Sequence, residues 1–472
     1  MVIARLSADC PFSADLATIS PMGGHIKKSL VFAAAMGAAL SGCAPVKTVS
    51  VPAPVVTPAP PVLVAQPGPW RIRKTEWTSA DEAGFGQFVR TIAQSGCTTT
   101  TQCMQSAANP YHDSDPPSLV FPADCAKWVY MLRAYYASKN GLPFSYVSKI
   151  SSDSGDPRFS ATSNGVVARR DIVDTGTAID TVSVLKLLHD EVSSATYHMD
   201  PAMQGPLLSD FYSPKIEPGS IRAGTAIYDI HGHVMIVYDV TADGSILYMD
   251  ANPDQSVSRG MFGPQVPQSA AALGGGFKNF RPLRLVGAQQ MPNGTYLGGH
   301  VVPAANDAIP DYSLEQYRGN TADAKDGHPA YRYNDAALNL YEYARAAMSN
   351  GQYQFNPVYE LEVSMRALCH DAANHDSGAD ARVEQGVTTL YTDLYQTVAA
   401  WRQRDLRVAY NGMSLQNALA DAYAEQDRAC AATGNGTSPL DRFMRRPETD
   451  FPRLIASIVE PASFSQMQPV GR

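Results

Sequence analysis

The chain has 472 residues, 44% of them hydrophobic and 17% charged, with a formal net charge of −8 at pH 7. That length allows two or three domains and a sizeable core. The acidic balance, with no long basic run to neutralise phosphates, excludes nucleic acid as an expected partner.

In chain order, His25–Ile26–Lys27–Lys28 is a short basic segment, followed by an apolar run, Ser29 to Leu40, too short to cross a bilayer as a stable helix. The run closes on Leu40–Ser41–Gly42–Cys43, which resembles the lipobox of bacterial lipoproteins. The resemblance implies a signal peptide over residues 1–43, cleavage before Cys43, and lipidation of that cysteine. Ala44 in the next position implies the outer membrane, with the chain facing the periplasm. Asp9 and Asp15 fit a signal's first region poorly, so Met22 reads as the better start. Residues 44–69 are rich in Pro, Val, Ala and Thr, a linker composition that favours extended polyproline II. At about 3.1 Å per residue this segment would reach roughly 80 Å.

A helix is expected over Ser79–Gln94, then a loop carrying Cys97 and Cys103. Pro122 and Asp124 are helix-start residues. After them Trp128, Val129, Leu132, Tyr135 and Tyr136 repeat at helical spacing, and Asn140–Gly141 supplies the stop. Cys125 thus falls in the first turn of a helix, where unpaired N–H groups and the macrodipole favour a thiolate. Beyond it, Arg169–Thr177 reads as extended and Ala178–Val192 as a helix. Ile221–Tyr228 reads as a turn and strand, His233–Val240 as a strand, Ala242–Asp243–Gly244 as a hairpin turn, and Ser245–Asp250 as the returning strand. A later strand is expected over Phe280–Leu285. From residue 319 the composition turns to Ala, Tyr, Leu, Arg and Asp at helical spacing, with helices expected near Asp335–Ser349, Pro357–Ala373, Ala381–Arg402 and Ser414–Ala431.

Seven cysteines narrow the chemistry. Setting aside Cys10, which precedes Met22, and Cys43 leaves an odd number in an oxidising compartment. Cys97 and Cys103 are spaced for a local bridge, Cys369 and Cys430 fall in helical patterns that a second bridge would staple, and Cys125 is left over. Hydrolysis by a thiol also needs a base that protonates the leaving group and an orienter for the imidazole. His233, at the mouth of its strand, is the expected base, with His231 as the alternate. Asp250, on the returning strand, is the expected orienter, with Asn252 as the alternate. His112, His189 and His198 read as surface or cap residues. His-x-His is a common metal pair, but without a third donor nearby no metal or other cofactor is expected.

Gly224–Thr225–Ala226–Ile227–Tyr228, Gly232–His233–Val234–Met235–Ile236–Val237, Asp243–Gly244–Ser245–Ile246 and Asp250–Ala251–Asn252 together resemble the later half of CHAP amidohydrolase/peptidase domains, and Cys125–Ala126–Lys127–Trp128–Val129 resembles their nucleophile helix. The same segments, with Gly141–Leu142–Pro143 after the cysteine helix, also resemble transglutaminase-like domains. Residues 147–205 would be an insertion, and Asp250 stands where CHAP domains commonly have Glu. Either resemblance implies an α+β fold: a papain-like domain over residues 70–318, its cysteine helix packed on an antiparallel sheet, followed by an α-helical region over 319–472. It implies a cysteine hydrolase cleaving an amide, most simply in peptidoglycan stem peptides, anchored to the membrane by lipid and acting on a cell-wall peptide or protein substrate. The alternatives are a catalytically silent envelope lipoprotein using the scaffold for binding, and a transglutaminase-like acyl transferase or protease.

Overall fold

Capping side chains set where the helices begin. In the computed structural model, which describes Leu63 and residues 69–263, 266–322, 329–334 and 336–351, Thr78 and Asp81 exchange side-chain and backbone hydrogen bonds, so α1 (Ser79–Gln94) starts at Ser79. Thr99 caps the short α2 (Thr100–Gln105). Asp124 caps α3 (Cys125–Asn140) by accepting the Lys127 N–H, and Gly141, left-handed at φ 64°, ends it. The hairpin of β1 (Phe144–Ser151) and β2 (Gly165–Ile172) follows, then α4 (Thr181–Glu191), capped by Asp180.

Six strands then build the main sheet: β3 (Phe211–Tyr212), β4 (Ala226–Asp229), β5 (His233–Val240), β6 (Ile246–Ala251), β7 (Val257–Met261) and β8 (Gly276–Phe280). Their order is β3-β8-β4-β5-β6-β7, every pairing antiparallel. Two smaller ladders follow, β9 (Leu283–Val286) with β12 (His300–Pro303) and β10 (Gln289–Gln290) with β11 (Tyr296–Leu297). After α5 (Glu315–Arg318) come the hairpin β13 (Tyr331–Tyr333)–β14 (Ala336–Leu338) and α6 (Leu340–Met348). The fold is α+β, with helices beside antiparallel sheets.

Alternation along the sheet divides the core in two. Val234, Ile236, Met249 and Ala251 bury with α1 and α3 in one cluster, while Ile227, Met235, Val237, Tyr248 and Phe277 bury with α6 and β13 in another. Tyr331, Leu338, Leu340 and Tyr343 belong to that second cluster, so residues on both sides of 319 share one core.

Helix α3 departs from the amphipathic stripe its sequence suggests: twelve of its residues are buried, from Ala126 through Ser138 apart from Lys127. A helix covered nearly all round belongs to the centre of a core, not its edge. Its one buried cation, Arg133, is held by Glu82 through two hydrogen bonds of 2.8 and 2.5 Å and lies 3.3 Å from the Trp77 ring centroid. Asp210, equally buried, binds Tyr130 Oη (2.6 Å), the Val147 N–H (2.8 Å) and Arg169 (2.7 Å), tying α3 to the β1–β2 hairpin.

Three expectations need correcting. The strand expected over Phe280–Leu285 is two strands, because Pro282 has no N–H for a ladder and the Arg281 side chain turns inward to the Ser209 and Ala304 carbonyls. The extended Arg169–Thr177 segment begins earlier, at Gly165, where it pairs with a strand at Phe144–Ser151 that the periodicity did not show. The helix near Asp335–Ser349 begins only at Leu340, because Asn339 and Glu342 form a capping box there and the residues before it form a hairpin. The other three expected C-terminal helices, the 44–69 linker apart from Leu63 and Pro69, and Cys10, Cys43, Cys369 and Cys430 lie outside the described residues.

Removing Glu82 leaves a buried guanidinium without its carboxylate. Glu82→Ala is expected to destabilise the protein by about 3 kcal/mol, and Glu82→Ala with Arg133→Met by clearly less, read as shifts in the urea-unfolding midpoint.

Candidate functional site

Cys125 is the first residue of α3, directly after its cap. Asp124 also pairs with the Lys127 ammonium, so the acid is committed to the helix start. Helix geometry leaves the Cys125 and Ala126 N–H groups without intrahelical acceptors. The thiol is half-buried and is the free cysteine among the described residues. Its Sγ lies 4.0 Å from the carbonyl oxygen of Gly232, the residue before β5. Standard peptide dimensions put a carbonyl oxygen just under 3 Å from the next Cα, so the sulfur is within about 7 Å of the His233 Cα. Gly232 turns β4 into β5 at φ 92°, a conformation that favours glycine.

His233 opens β5 and directs Nε2 to Asp250 Oδ2 on β6. Ser258, paired with Asp250 across the β6–β7 ladder, donates its hydroxyl to Asp250 Oδ1. The carboxylate is thus buried but held at both oxygens. His231 does not share this partner. It lies in the β4–β5 turn with Nδ1 3.0 Å from Asp229 Oδ1, its side chain 42% exposed. Asn252 serves the β6–β7 turn, its amide donating to Ser256 Oγ at 3.1 Å and its N–H to the Ser256 carbonyl at 2.8 Å. The structure therefore brings His233 to Asp250, and directs His231 and Asn252 elsewhere.

Which face each group occupies is the less expected feature. Along β5, His233 alternates with Val234, so it falls on the side of Met235; Asp250 likewise falls on the side of Tyr248. Cys125 packs with the cluster on the opposite side. The route from sulfur to imidazole accordingly runs round the end of β5, past Gly232, and not across the sheet.

On the sulfur's own side stand groups that sequence reasoning missed. Tyr197 donates to the Ala126 carbonyl at 2.8 Å, and Tyr228 lies 3.0 Å from His198 Nδ1. Burial first, and then the nearby Cys125, raise the pKa of Tyr197; burial, then Asp229, then Cys125 raise that of Tyr228. His198 is not the surface or cap residue expected; it is 1% exposed. Its Nε2 faces the Thr162 carbonyl at 3.1 Å, which can only accept, so Nε2 carries the hydrogen and Nδ1 accepts from Tyr228. Burial holds this imidazole below its ordinary pKa, as does Lys278. Lys278, on β8, is buried in turn, and that burial pushes its ammonium down to about 7, with Arg281 adding to the effect. No local pattern marks His198, because its partners come from segments far along the chain.

A disulfide-closed loop braces both halves of the site. Cys97 and Cys103 are joined, their Cα atoms 5.0 Å apart. Within the loop Thr100 Oγ1 donates to the Phe121 carbonyl at 2.8 Å, just before Cys125, while the Val257 N–H on β7 donates to the Thr98 carbonyl at 2.8 Å. Arg259 adds bonds to the Ala93 and Cys97 carbonyls at 2.6 and 2.9 Å.

Among the described residues no group of three or more His, Cys, Asp or Glu side chains is placed to hold a metal ion, and no helix is long and apolar enough to cross a membrane. Comparison with family models, with curated proteins and with solved structures finds no match.

The depressed Lys278 carries a pH signature. Its folded value of about 7 lies below the ordinary lysine value of 10.5, so between those values the unfolded chain binds more protons. Stability from this group is lowest below pH 7 and rises as pH climbs towards 10.5. Urea midpoints at pH 6.5 and 9 should show that rise in the wild type and a smaller one in Lys278→Met.

Proposed function

We propose that the chain is an envelope-anchored cysteine hydrolase that cleaves an amide, with Cys125 as nucleophile, His233 as base and Asp250 as its orienter. The observation that carries this is the pairing of a half-buried thiol at a helix N-terminus, 4.0 Å from the Gly232 carbonyl, with an imidazole on the very next residue bound to a buried carboxylate. The arrangement supports the resemblance to papain-like CHAP and transglutaminase-like domains.

In this reading Asp250 holds Nε2, so Nδ1 exchanges protons with the thiol. The Cys125 proton passes to Nδ1 round the end of β5, with Nε2 still held by Asp250, and the thiolate attacks the amide carbon. The Cys125 and Ala126 N–H groups stabilise the oxyanion. The carbon–nitrogen bond breaks as His233 returns the proton to the leaving amine. Water, deprotonated by His233, then hydrolyses the thioester and releases the acid. A primary amine in place of that water would make the same site a transglutaminase-like acyl transferase.

The substrate reading comes from the envelope. A lipid at Cys43 and an extended linker over residues 44–69 would hold the domain beside the cell wall, where peptidoglycan stem peptides supply amides. A second reading rests on the alternation along β5. With the dyad held on the far face, Cys125 has Tyr197 and Tyr228 as its companions, and the scaffold is a silent binding lipoprotein.

Digestion of purified sacculi with mass-spectrometric analysis of fragments separates these. Wild type is expected to release new stem-peptide fragments and Cys125→Ala none. His233→Ala should slow release by about 10²- to 10⁴-fold, with His231→Ala near wild type. Identical fragment profiles from wild type and Cys125→Ala would remove the peptidoglycan claim.

A further inference from the structure

The segment between β1 and β2 carries an exposed aromatic that the core does not need. Phe159, in the single 3₁₀ turn Pro157–Phe159, is 56% exposed. A lone exposed apolar residue is ordinary on a protein surface. This one differs in where it sits and in how it is held.

Its ring lies against Gly232: a Cβ built on that glycine would meet Phe159 Cε1 at 3.3 Å and Cζ at 3.5 Å. The carbonyl of the same glycine faces Cys125 Sγ at 4.0 Å. The ring and the sulfur therefore flank one peptide unit, the unit that leads into His233. The turn beneath the ring is pinned from inside. Asn164, 1% exposed, donates from Nδ2 to the Pro157 carbonyl at 2.7 Å and to the Ala195 carbonyl at 2.9 Å, and its N–H bonds the His198 carbonyl at 2.8 Å. Asp156 caps the turn by accepting the Arg158 N–H at 3.0 Å. A buried amide thus fixes the backbone under a solvent-facing ring.

We propose that Phe159 is the wall of an apolar subsite beside Cys125, selecting substrates that carry an apolar side chain next to the scissile amide. The inference rests on Cys125 being the nucleophile and names the substrate chemistry of that site. An apolar side chain laid against the ring and Gly232 would lose water on both surfaces, whereas an acidic one would give up its hydration for a cation already taken: the Arg158 guanidinium, 5.2 Å from the ring centroid, is held by the Asp156 carboxylate. Phe159 touches the substrate and not the reacting atoms, so it acts on selectivity and leaves the thiol's own reactivity alone.

The experiment labels Cys125 in the full chain with two peptidyl vinyl sulfones that differ only in the residue beside the warhead, leucyl or glutamyl, with iodoacetamide as the small probe. Wild type is expected to label about tenfold faster with the leucyl probe. Phe159→Gln should lose that preference while keeping its iodoacetamide rate, and Phe159→Leu should keep most of it. Equal rates with both probes in the wild type, or an undiminished preference in Phe159→Gln, would overturn the subsite. A wild type that labels with neither peptide probe, though it reacts with iodoacetamide, overturns the hydrolase reading itself and the subsite with it.

Discussion

The near-complete burial of α3 is the constraint on which the rest depends. With its faces covered by α1, the sheet and the loop before it, the helix has one place to sit, and its first turn has one place to emerge. Arg133 could not be taken into such a core without Glu82 and the Trp77 ring, because an uncompensated buried charge is strongly destabilising. The ion pair is therefore the condition for the helix being central, and the helix being central is what brings Cys125 to the end of β5.

Two further ties convert that position into a site. Asp210 locks α3 to the β1–β2 hairpin, whose connecting segment carries Phe159 over Gly232. The Cys97–Cys103 loop joins the approach to Cys125, through Phe121, to β7, through Val257, beside the Ser258 that holds Asp250. The two sides of the proposed chemistry are thus linked by a short closed loop as well as by the sheet.

The two faces of the sheet divide the polar groups in a way that shapes any mechanism. The His233–Asp250–Ser258 chain belongs to one face, and the Tyr228–His198 pair, with the thiol, to the other. The thiol approaches that chain at the turn into β5, where its sulfur lies 4.0 Å from the carbonyl of Gly232, the residue before His233. A base working round a strand end, as proposed, would depend on that turn more than a base on the open face would, which makes Gly232 part of the proposed site's geometry.

Local signals made much of this legible in the residues. Asp124 and Gly141 marked helix ends, and the helix Ser79–Gln94 and the strand His233–Val240 stand where the local pattern puts them, because these are interactions between near neighbours. The Cys97–Cys103 spacing and the approach of Asp250 to His233 followed from loop length and hairpin register for the same reason. Other features were decided by the tertiary structure alone. His198 became buried, Lys278 lost its solvent, Phe159 came to rest on Gly232, and the side of the sheet that holds the dyad was settled by which face α3 covers. Each depends on partners dozens of residues away, and neither periodicity nor spacing within one segment carries information about such partners.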